Sequence, residues 1–271
     1  MHIYRKENKI LAYAPLKKIN GLPVEGENYH IRVLDKKDVA NMVELSSCIY
    51  NSLRQGQECF IHKHNEDYYN NMIDNPNMVF VGAVKGKQLI AMSYLHFTKS
   101  SNDLFEEFPC ADVSFLNNDF SNVACLGADS VHPEYRGNNI NANMVKFRTE
   151  YAKNCGVENM LSIIDRKNIW NMKPYFGNDF FMIGAGVDPS DGGNIAFMHK
   201  NTKKDGTSVL PLGVEIPFDN YSLIDKMFKY KRVGIGYNAE NSSLIFACNV
   251  INNQKLIANH NNKIMEVSNG R

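Results

Sequence analysis

Residues 131–141 read VHPEYRGNNIN, and this stretch decides the fold. It follows a run of small and apolar residues, VACLGA at 123–128, and it precedes a segment whose apolar side chains recur at helical spacing. This pattern predicts a strand, a tight turn and a helix. The backbone N–H groups of such a turn converge on one point, where the helix dipole adds partial positive charge and Arg136 adds a full one. The sequence therefore predicts a phosphate-binding corner.

The same stretch resembles the acyl-CoA loop of the Gcn5-related N-acetyltransferases (GNAT). That family carries Val-x-Pro-x-Tyr-Arg-Gly, which matches residues 131–137, and continues as Gly-x-Gly-Ile-Gly. Here the continuation is GNNIN at 137–141, so Asn139 and Asn141 stand where glycines are expected. Asparagine tolerates left-handed backbone better than most residues, yet it is bulkier than glycine. The approach of a pyrophosphate is therefore expected to differ most at these two positions.

A second motif follows at the spacing that the family shows. Its pattern is Asn-x-x-Ala-x-x-x-Tyr, and Asn168, Asn171 and Tyr175 occupy the Asn, Ala and Tyr positions. Pro174 lies within this segment. Proline in a helix interior removes a hydrogen bond, so a short or kinked helix is expected. The spacing supports the resemblance independently of the loop at 131–141.

The order of the predicted elements is also that of the family. A strand at 30–34 precedes two helices and a hairpin, and the central strand and the loop follow. Further strands are predicted at 159–165, 180–187 and 194–200. The resemblance thus covers residues 30–200. It implies an α/β (α+β) fold with a mixed, mostly antiparallel central sheet flanked by helices, splayed after the central strand to admit the pantetheine arm.

The chain divides into three predicted parts. Residues 1–29 form an N-terminal arm or an edge strand, and the sequence does not separate these alternatives. Residues 30–203 form the GNAT-like acyltransferase domain, and residues 204–271 form a C-terminal extension or small subdomain without a catalytic motif. Within the domain, residues 98–121 are long for a connection and rich in acidic and aromatic residues. They could be a functional loop that suits a cationic amine, or a solvated insertion with a hydrophobic anchor.

Composition excludes several classes of protein. The net charge is +1, which does not indicate a nucleic-acid partner. No apolar run approaches the ~20 residues that span a bilayer, and the amino terminus lacks the apolar core of a signal peptide. The six cysteines are scattered without a Cys-x-x-Cys pair, which fits reduced thiols and a cytoplasmic location. Cys59, His62 and His64 are not followed by a second half with ligand spacing, so no metal is predicted.

The resemblance implies a role for most of the candidate site residues. The backbone of Val131 would bind pantetheine. The pyrophosphate would be cradled by the turn and the first residues of the helix, which are Arg136, Gly137, Asn138, Asn139, Ile140 and Asn141. Asn168 would contact the co-substrate, acetyl-CoA. Tyr175 would protonate the departing thiolate, since a phenol with a reference pKa of ~10 holds its proton at neutral pH.

Asp129 is a candidate for the general base. It lies in the central strand two residues before Val131, and from there it could reach a substrate amine directly or through water. A structural role, in which its carboxylate caps or pairs with another group, is an equal alternative.

The sequence therefore predicts an N-acyltransferase, most simply an acetyltransferase, that moves an acyl group from acyl-CoA to a primary amine. Transfer is expected to be direct, because no activated nucleophile is visible for an acyl-enzyme. The acceptor could be a small molecule or a peptide amine, and a homodimer is one option for the assembly. The alternatives are a GNAT-fold sensor that binds acyl-CoA without turnover and a protein that binds a partner through its C-terminal extension.

Overall fold

The computed structural model describes residues 10–55, 57, 63–108, 113–116, 119–189, 192–203, 213–230 and 232–248. Two groups of residues discussed above lie outside the described residues. They are Cys59 and His62, for which no metal was predicted, and residues 204–212 and 249–271 of the predicted extension. The strands are β1 (Ile10–Pro15), β2 (Lys18–Ile19), β3 (Leu22–Pro23), β4 (Asn28–Val33), β5 (Met78–Lys85), β6 (Gln88–Phe97), β7 (Val123–Val131), β8 (Asn159–Asp165), β9 (Phe181–Val187), β10 (Asn194–Asn201), β11 (Val214–Pro217), β12 (Arg232–Asn238) and β13 (Ser243–Cys248). The α-helices are α1 (Val39–Asn51), α2 (Glu66–Asp74), α3 (Ser101–Glu107), α4 (Ile140–Asn154), α5 (Ile169–Phe176) and α6 (Tyr221–Lys229).

Eleven strands form one sheet in the order β1-β4-β5-β6-β7-β8-β10-β9-β12-β13-β11, and β2 pairs with β3 separately. Among the described residues, β7 and β8 are the parallel pair, and the other pairs of this sheet are antiparallel. The predicted fold class is confirmed: the sheet is mixed and mostly antiparallel, and helices flank it.

Helices cover both faces of the sheet. In β5, Val79 and Val81 belong to the apolar cluster that includes residues of α4 and α5, whereas Phe80 belongs to the cluster that includes residues of α1 and α2. Seven of the eight residues of β5 are consequently buried. Such continuous apolar strands are expected where both faces of a sheet are covered.

The helix ends follow from local sequence. Asp35 accepts a hydrogen bond from the backbone of Lys37, and Asp38 reaches back to the backbone of Asp35, so a capping box starts the short turn that leads into α1. Asn168 caps α5 by accepting from the backbone N–H of Asn171. With Pro174 inside it, α5 is only eight residues long, as predicted.

The connection at 98–121 contains a helix that the sequence did not predict. Ser100 caps α3, and Asp103 completes the capping box by accepting from the backbone N–H of Ser100. Leu104 and Phe108 anchor this segment against Phe197 of β10 in a third apolar cluster.

The two ends of the described chain extend the sheet. β1 pairs with β4 at one edge, from Ile10–Arg32 to Pro15–Asn28. At the other end, β12 pairs with β9 at Gly234–Met182, and β13 and β11 follow outward. Within the described part of the chain, no helix combines the length and the apolar character needed to cross a membrane.

Candidate active site

The site lies where the two parallel strands separate. β7 and β8 pair from Val123–Asn159 to Leu126–Ser162, and the pairing stops there although both strands continue. The splay predicted after the central strand is therefore present. It opens a cavity of about 290 Å³ whose walls include the diverging ends of both strands. We call this opening between β7 and β8 the wedge.

A β-bulge lies in β7 at the wedge. Met92 of β6 pairs with Ser130 and Tyr94 pairs with Gly127, so one residue of β6 stands opposite two of β7. Ala128 in the bulge adopts φ 54°, a left-handed conformation that is uncommon outside glycine. Because a bulge interrupts the ladder locally, it re-aims the side chain of Asp129.

Asp129 and Tyr175 come together at the wedge. The Tyr175 hydroxyl donates a hydrogen bond to Asp129 Oδ2 over 2.5 Å. The other oxygen, Asp129 Oδ1, forms an ion pair with the Arg148 guanidinium, whose side chain is wholly buried. Ser162 Oγ lies 3.1 Å from the Tyr175 hydroxyl and 3.0 Å from the carbonyl of Leu126. We call these four side chains the wedge network.

Burial fixes the charges of the wedge network. The Arg148 guanidinium also donates to the carbonyls of Tyr94 and Gly127, at 3.1 and 3.4 Å. Burial and the nearby Asp129 raise the pKa of Tyr175 well above its ordinary value, so the phenol is protonated at neutral pH. Burial lowers the pKa of Arg148, but its interactions with Asp129 and Tyr175 together raise that pKa above its ordinary value, which keeps the guanidinium charged.

The predicted anion corner lies at the start of α4. Gly137 has φ 78°, a backbone conformation that favours glycine, and a Cβ there would stand 2.5 Å from Lys18 Nζ, so the end of the Lys18 side chain lies directly over this residue. Asn139 has φ 57° and makes no side-chain cap to α4, whose first turn holds no acidic residue. The first N–H groups of α4 and the Lys18 ammonium therefore lie at this turn. The Arg136 guanidinium donates to the carbonyl of Val131 over 3.3 Å and to Ser52 Oγ over 3.4 Å.

Two residues of the predicted cradle have buried side chains. Asn138 accepts from the backbone N–H groups of Lys17 and Lys18, at 2.8 and 3.0 Å, and donates to the carbonyl of Lys18. Ile140 belongs to the main apolar cluster. The side chain of Asn138 thus clamps β2 against the turn, and only the backbone of these two residues is left for a ligand.

The starts of α4 and α5 are joined directly. Asn141 Nδ2 donates to Asn171 Oδ1 over 2.6 Å. Farther along, Asn178 Nδ2 donates to the carbonyl of Ala142. Asn168 and Asn171 line the wedge cavity. The two predicted motifs therefore meet in space, with their asparagines between the anion corner and the wedge.

The cavity continues to the opposite face of the sheet. There it is lined by aromatic side chains that include Tyr68 of α2 and Tyr94 of β6. His64 lies against Tyr68 with ring centroids 3.6 Å apart and planes 7° from parallel. Asp165 at the end of β8 and Asp188 after β9 also line the cavity and bring carboxylates to it.

The family model of the acetyltransferase (GNAT) family matches residues 42–175. This match spans α1 to α5 and includes the bulged strand, the anion corner and Tyr175. Residues 42–175 form a domain of the GNAT family.

Solved structures of acetyltransferases are similar to the chain. The protein yncA of Salmonella typhimurium, determined with its cofactor acetyl-CoA, shares 13% identity at a TM-score of 0.49, covering 66% of this chain and 96% of that one. The PaiA N-acetyltransferase of Thermoplasma acidophilum, in complex with coenzyme A, shares 20% identity at a TM-score of 0.45, covering 64% and 98%. No curated protein sequence matches this chain.

Three positions in the GNAT domain and its arm were missed from sequence. Arg148 is the clearest, because it follows Met144 by four residues and therefore lies on the apolar side of α4, where a charge signals a buried partner. Ser162 gave no such signal within its apolar strand. Lys18 could not be assigned to the anion corner from sequence, because it lies next to Gly137 only as a result of the hydrogen bonds between Asn138 and the backbone of Lys17 and Lys18.

Proposed function

We propose that the chain is an N-acetyltransferase that transfers an acetyl group from acetyl-CoA to a primary amine by direct attack. One observation carries this proposal: in a GNAT domain, the Asn141–Asn171 hydrogen bond ties the predicted anion corner to the wedge, whose cavity acidic and aromatic side chains line. A thioester held in the wedge would thus be open to an amine from the opposite face of the sheet.

The residues at the corner fit a pyrophosphate. Anions are stabilised by uncapped N–H groups at a helix start, and Arg136 and Lys18 add two positive charges. Gly137 and the backbone of residues 138–141 are proposed to cradle the phosphates, as the resemblance implies. The backbone of Val131 is proposed to meet the pantetheine arm, and Asn168 to contact it at the mouth of the wedge.

Proton transfers are the remaining requirement. Attack needs a neutral amine, and the departing thiolate needs a proton. We propose Tyr175 as the donor, since its hydroxyl reaches the point where β7 and β8 part and holds its proton there. To serve the thiolate, the hydroxyl must turn away from Asp129. Because Arg148 and Tyr175 already engage both oxygens of Asp129, the contacts favour Asp129 as the partner of Tyr175 over a direct base for the amine.

The acceptor end suits a cationic amine. Asp165 and Asp188 attract an ammonium group, and the faces of Tyr68 and Tyr94 attract cations and pack against carbon chains. The carboxylates at the cavity therefore favour an amine-bearing small molecule or an exposed peptide amine over a neutral acceptor.

A second function is supported by a specific contact. Tyr175 is fully buried and its hydroxyl is committed to Asp129, which is the state expected of a domain that holds acyl-CoA without turnover. The alternative is a GNAT-fold sensor.

The two functions separate in one experiment. Release of free thiol from acetyl-CoA is measured with a panel of primary amines, alongside calorimetric binding of CoA. If the chain is an enzyme, thiol release from acetyl-CoA is expected to depend on the amine supplied. Tight CoA binding without thiol release for any amine would favour the sensor. Arg136→Ala is expected to weaken CoA about tenfold through loss of a charge-assisted contact, whereas Lys146→Ala on the exposed face of α4 leaves it unchanged. Absence of CoA binding to the wild-type protein would contradict both the enzyme and the sensor.

A further inference from the structure

The single tryptophan of the chain stands out from the surface. Trp170 lies in the first turn of α5 and is 75% exposed. A large aromatic ring in water is a candidate contact for a ligand, because its flat apolar face can bury much area at little entropic cost. Nothing in the proposed chemistry of the wedge uses this side chain.

A positive charge is held against the same ring. Lys173 Nζ lies 4.2 Å from the centroid of the Trp170 ring and 4.7 Å from that of Tyr237 in β12. The ammonium is therefore positioned between two aromatic rings by cation–π attraction. Trp170, Lys173 and Tyr237 form what we call the aromatic platform, which combines a stacking face with a fixed cation.

The aromatic platform lies beside the anion corner. Trp170 directly precedes Asn171, which accepts the hydrogen bond from Asn141 in the first turn of α4. A molecule whose pyrophosphate occupies that first turn, and whose pantetheine enters the wedge, must carry its nucleoside outward from the corner. We place the exposed start of α5 next to that path, because the Asn141–Asn171 hydrogen bond joins it to the first turn of α4.

We propose that the aromatic platform binds the adenosine 3′-phosphate end of CoA, with adenine stacked on Trp170 and the 3′-phosphate near Lys173. This inference rests on the proposed function, because it takes CoA as the ligand of the anion corner. It assigns the nucleotide end of the co-substrate to α5 and gives β12, beyond the GNAT match, a part in holding Lys173 in place.

The experiment uses truncated forms of the ligand. Full-length protein is titrated calorimetrically with CoA, with 3′-dephospho-CoA and with 4′-phosphopantetheine, which lacks adenosine. Trp170→Ala is expected to weaken the binding of CoA about tenfold, the effect of losing one base–aromatic stack, and to leave the binding of 4′-phosphopantetheine unchanged. Lys173→Met is expected to remove the preference for CoA over 3′-dephospho-CoA. Tyr230→Ala, which removes a ring of matched exposure, 73%, at the end of α6, should change none of the three.

Fluorescence gives a readout independent of affinity. Since Trp170 is the only tryptophan, its emission reports on the platform alone. CoA is expected to quench it, and 4′-phosphopantetheine is not. Calorimetric CoA binding with unchanged emission, or equal weakening of all three ligands by Trp170→Ala, would overturn the platform and leave the proposed function standing. A dimer that Trp170→Ala converts to a monomer would equally overturn it, and no CoA binding in the wild type would remove the proposed function itself.

Discussion

At the scale of single residues, Asp129 and Arg148 decide what the wedge can do. Burying either charged side chain alone would cost several kcal/mol. The ion pair offsets this cost because both partners are present and the Arg148 guanidinium also donates hydrogen bonds to the carbonyls of Tyr94 and Gly127. The sequence placed Asp129 in the central strand but did not supply its partners, which lie 19 and 46 residues away. Long-range pairing of this kind follows from packing and leaves little local signal.

The hydroxyl of Tyr175 is the first test at this scale. Tyr175→Phe keeps the ring, which packs against Phe180, and removes only the donor to Asp129. Turnover is expected to fall about a hundredfold or more, as for loss of a general acid, while the dissociation constant of CoA stays the same. The rate of thiol release and calorimetry measure the two quantities.

A matched control removes another buried hydroxyl. Tyr29→Phe deletes an oxygen that accepts from Asn143 Nδ2 over 2.7 Å, on the side of α4 outside the wedge. It should lower the free energy of unfolding by about 1 kcal/mol and leave turnover intact. If Tyr175→Phe behaves like this control, Tyr175 is not the acid.

At the scale of elements, most of the fold could be read from local patterns. Apolar runs predicted the strands of residues 30–200 because both faces of the sheet are buried, and helical spacing predicted the helices because they carry apolar stripes. Helix α3 was missed because its seven residues are too few for periodicity to show, and its signal was the Ser100–Asp103 capping box. The splay was expected from the family resemblance, and its position at Leu126–Ser162 came from the structure.

Asn139 and Asn141, which stand at glycine positions of the anion corner, are predicted to respond differently to substitution by glycine. Asn139 is exposed, has φ 57° and makes no side-chain cap, so Asn139→Gly should relieve backbone strain and bring a phosphate closer. Asn141 ties α4 to α5 through Asn171. Asn141→Gly should therefore cost about 1–2 kcal/mol of unfolding free energy, from one lost hydrogen bond and a glycine in the first helical turn.

Calorimetry with CoA and urea unfolding separate these effects. Asn139→Gly should lower the dissociation constant of CoA several-fold and leave the free energy of unfolding unchanged. Asn141→Gly should lower the free energy of unfolding without lowering the dissociation constant of CoA. Equal behaviour of the two variants would contradict the distinction between a free and a bridging asparagine.

At the scale of the whole molecule, the C-terminal strands complete the core of the GNAT domain. Ile216, Ile224, Leu244 and Phe246 lie in the same apolar cluster as Tyr175 and Met182. β12 also continues the sheet from β9, and its Tyr237 holds Lys173 of α5. We therefore expect the boundary between 203 and 204 to mark the end of a sequence resemblance and not the end of a folding unit.

Truncation after Lys203 tests this expectation. It would expose the edge of β9, where Met182 pairs with Gly234, and the part of the apolar cluster to which Ile224 and Phe246 contribute, and exposed strand edges promote aggregation. The full chain is expected to unfold in urea in one transition, with the same midpoint by tryptophan emission of Trp170 and by far-ultraviolet circular dichroism. The truncated chain should be aggregated or unfolded. A soluble 1–203 fragment that binds CoA with native affinity would show instead that the extension is a separate subdomain.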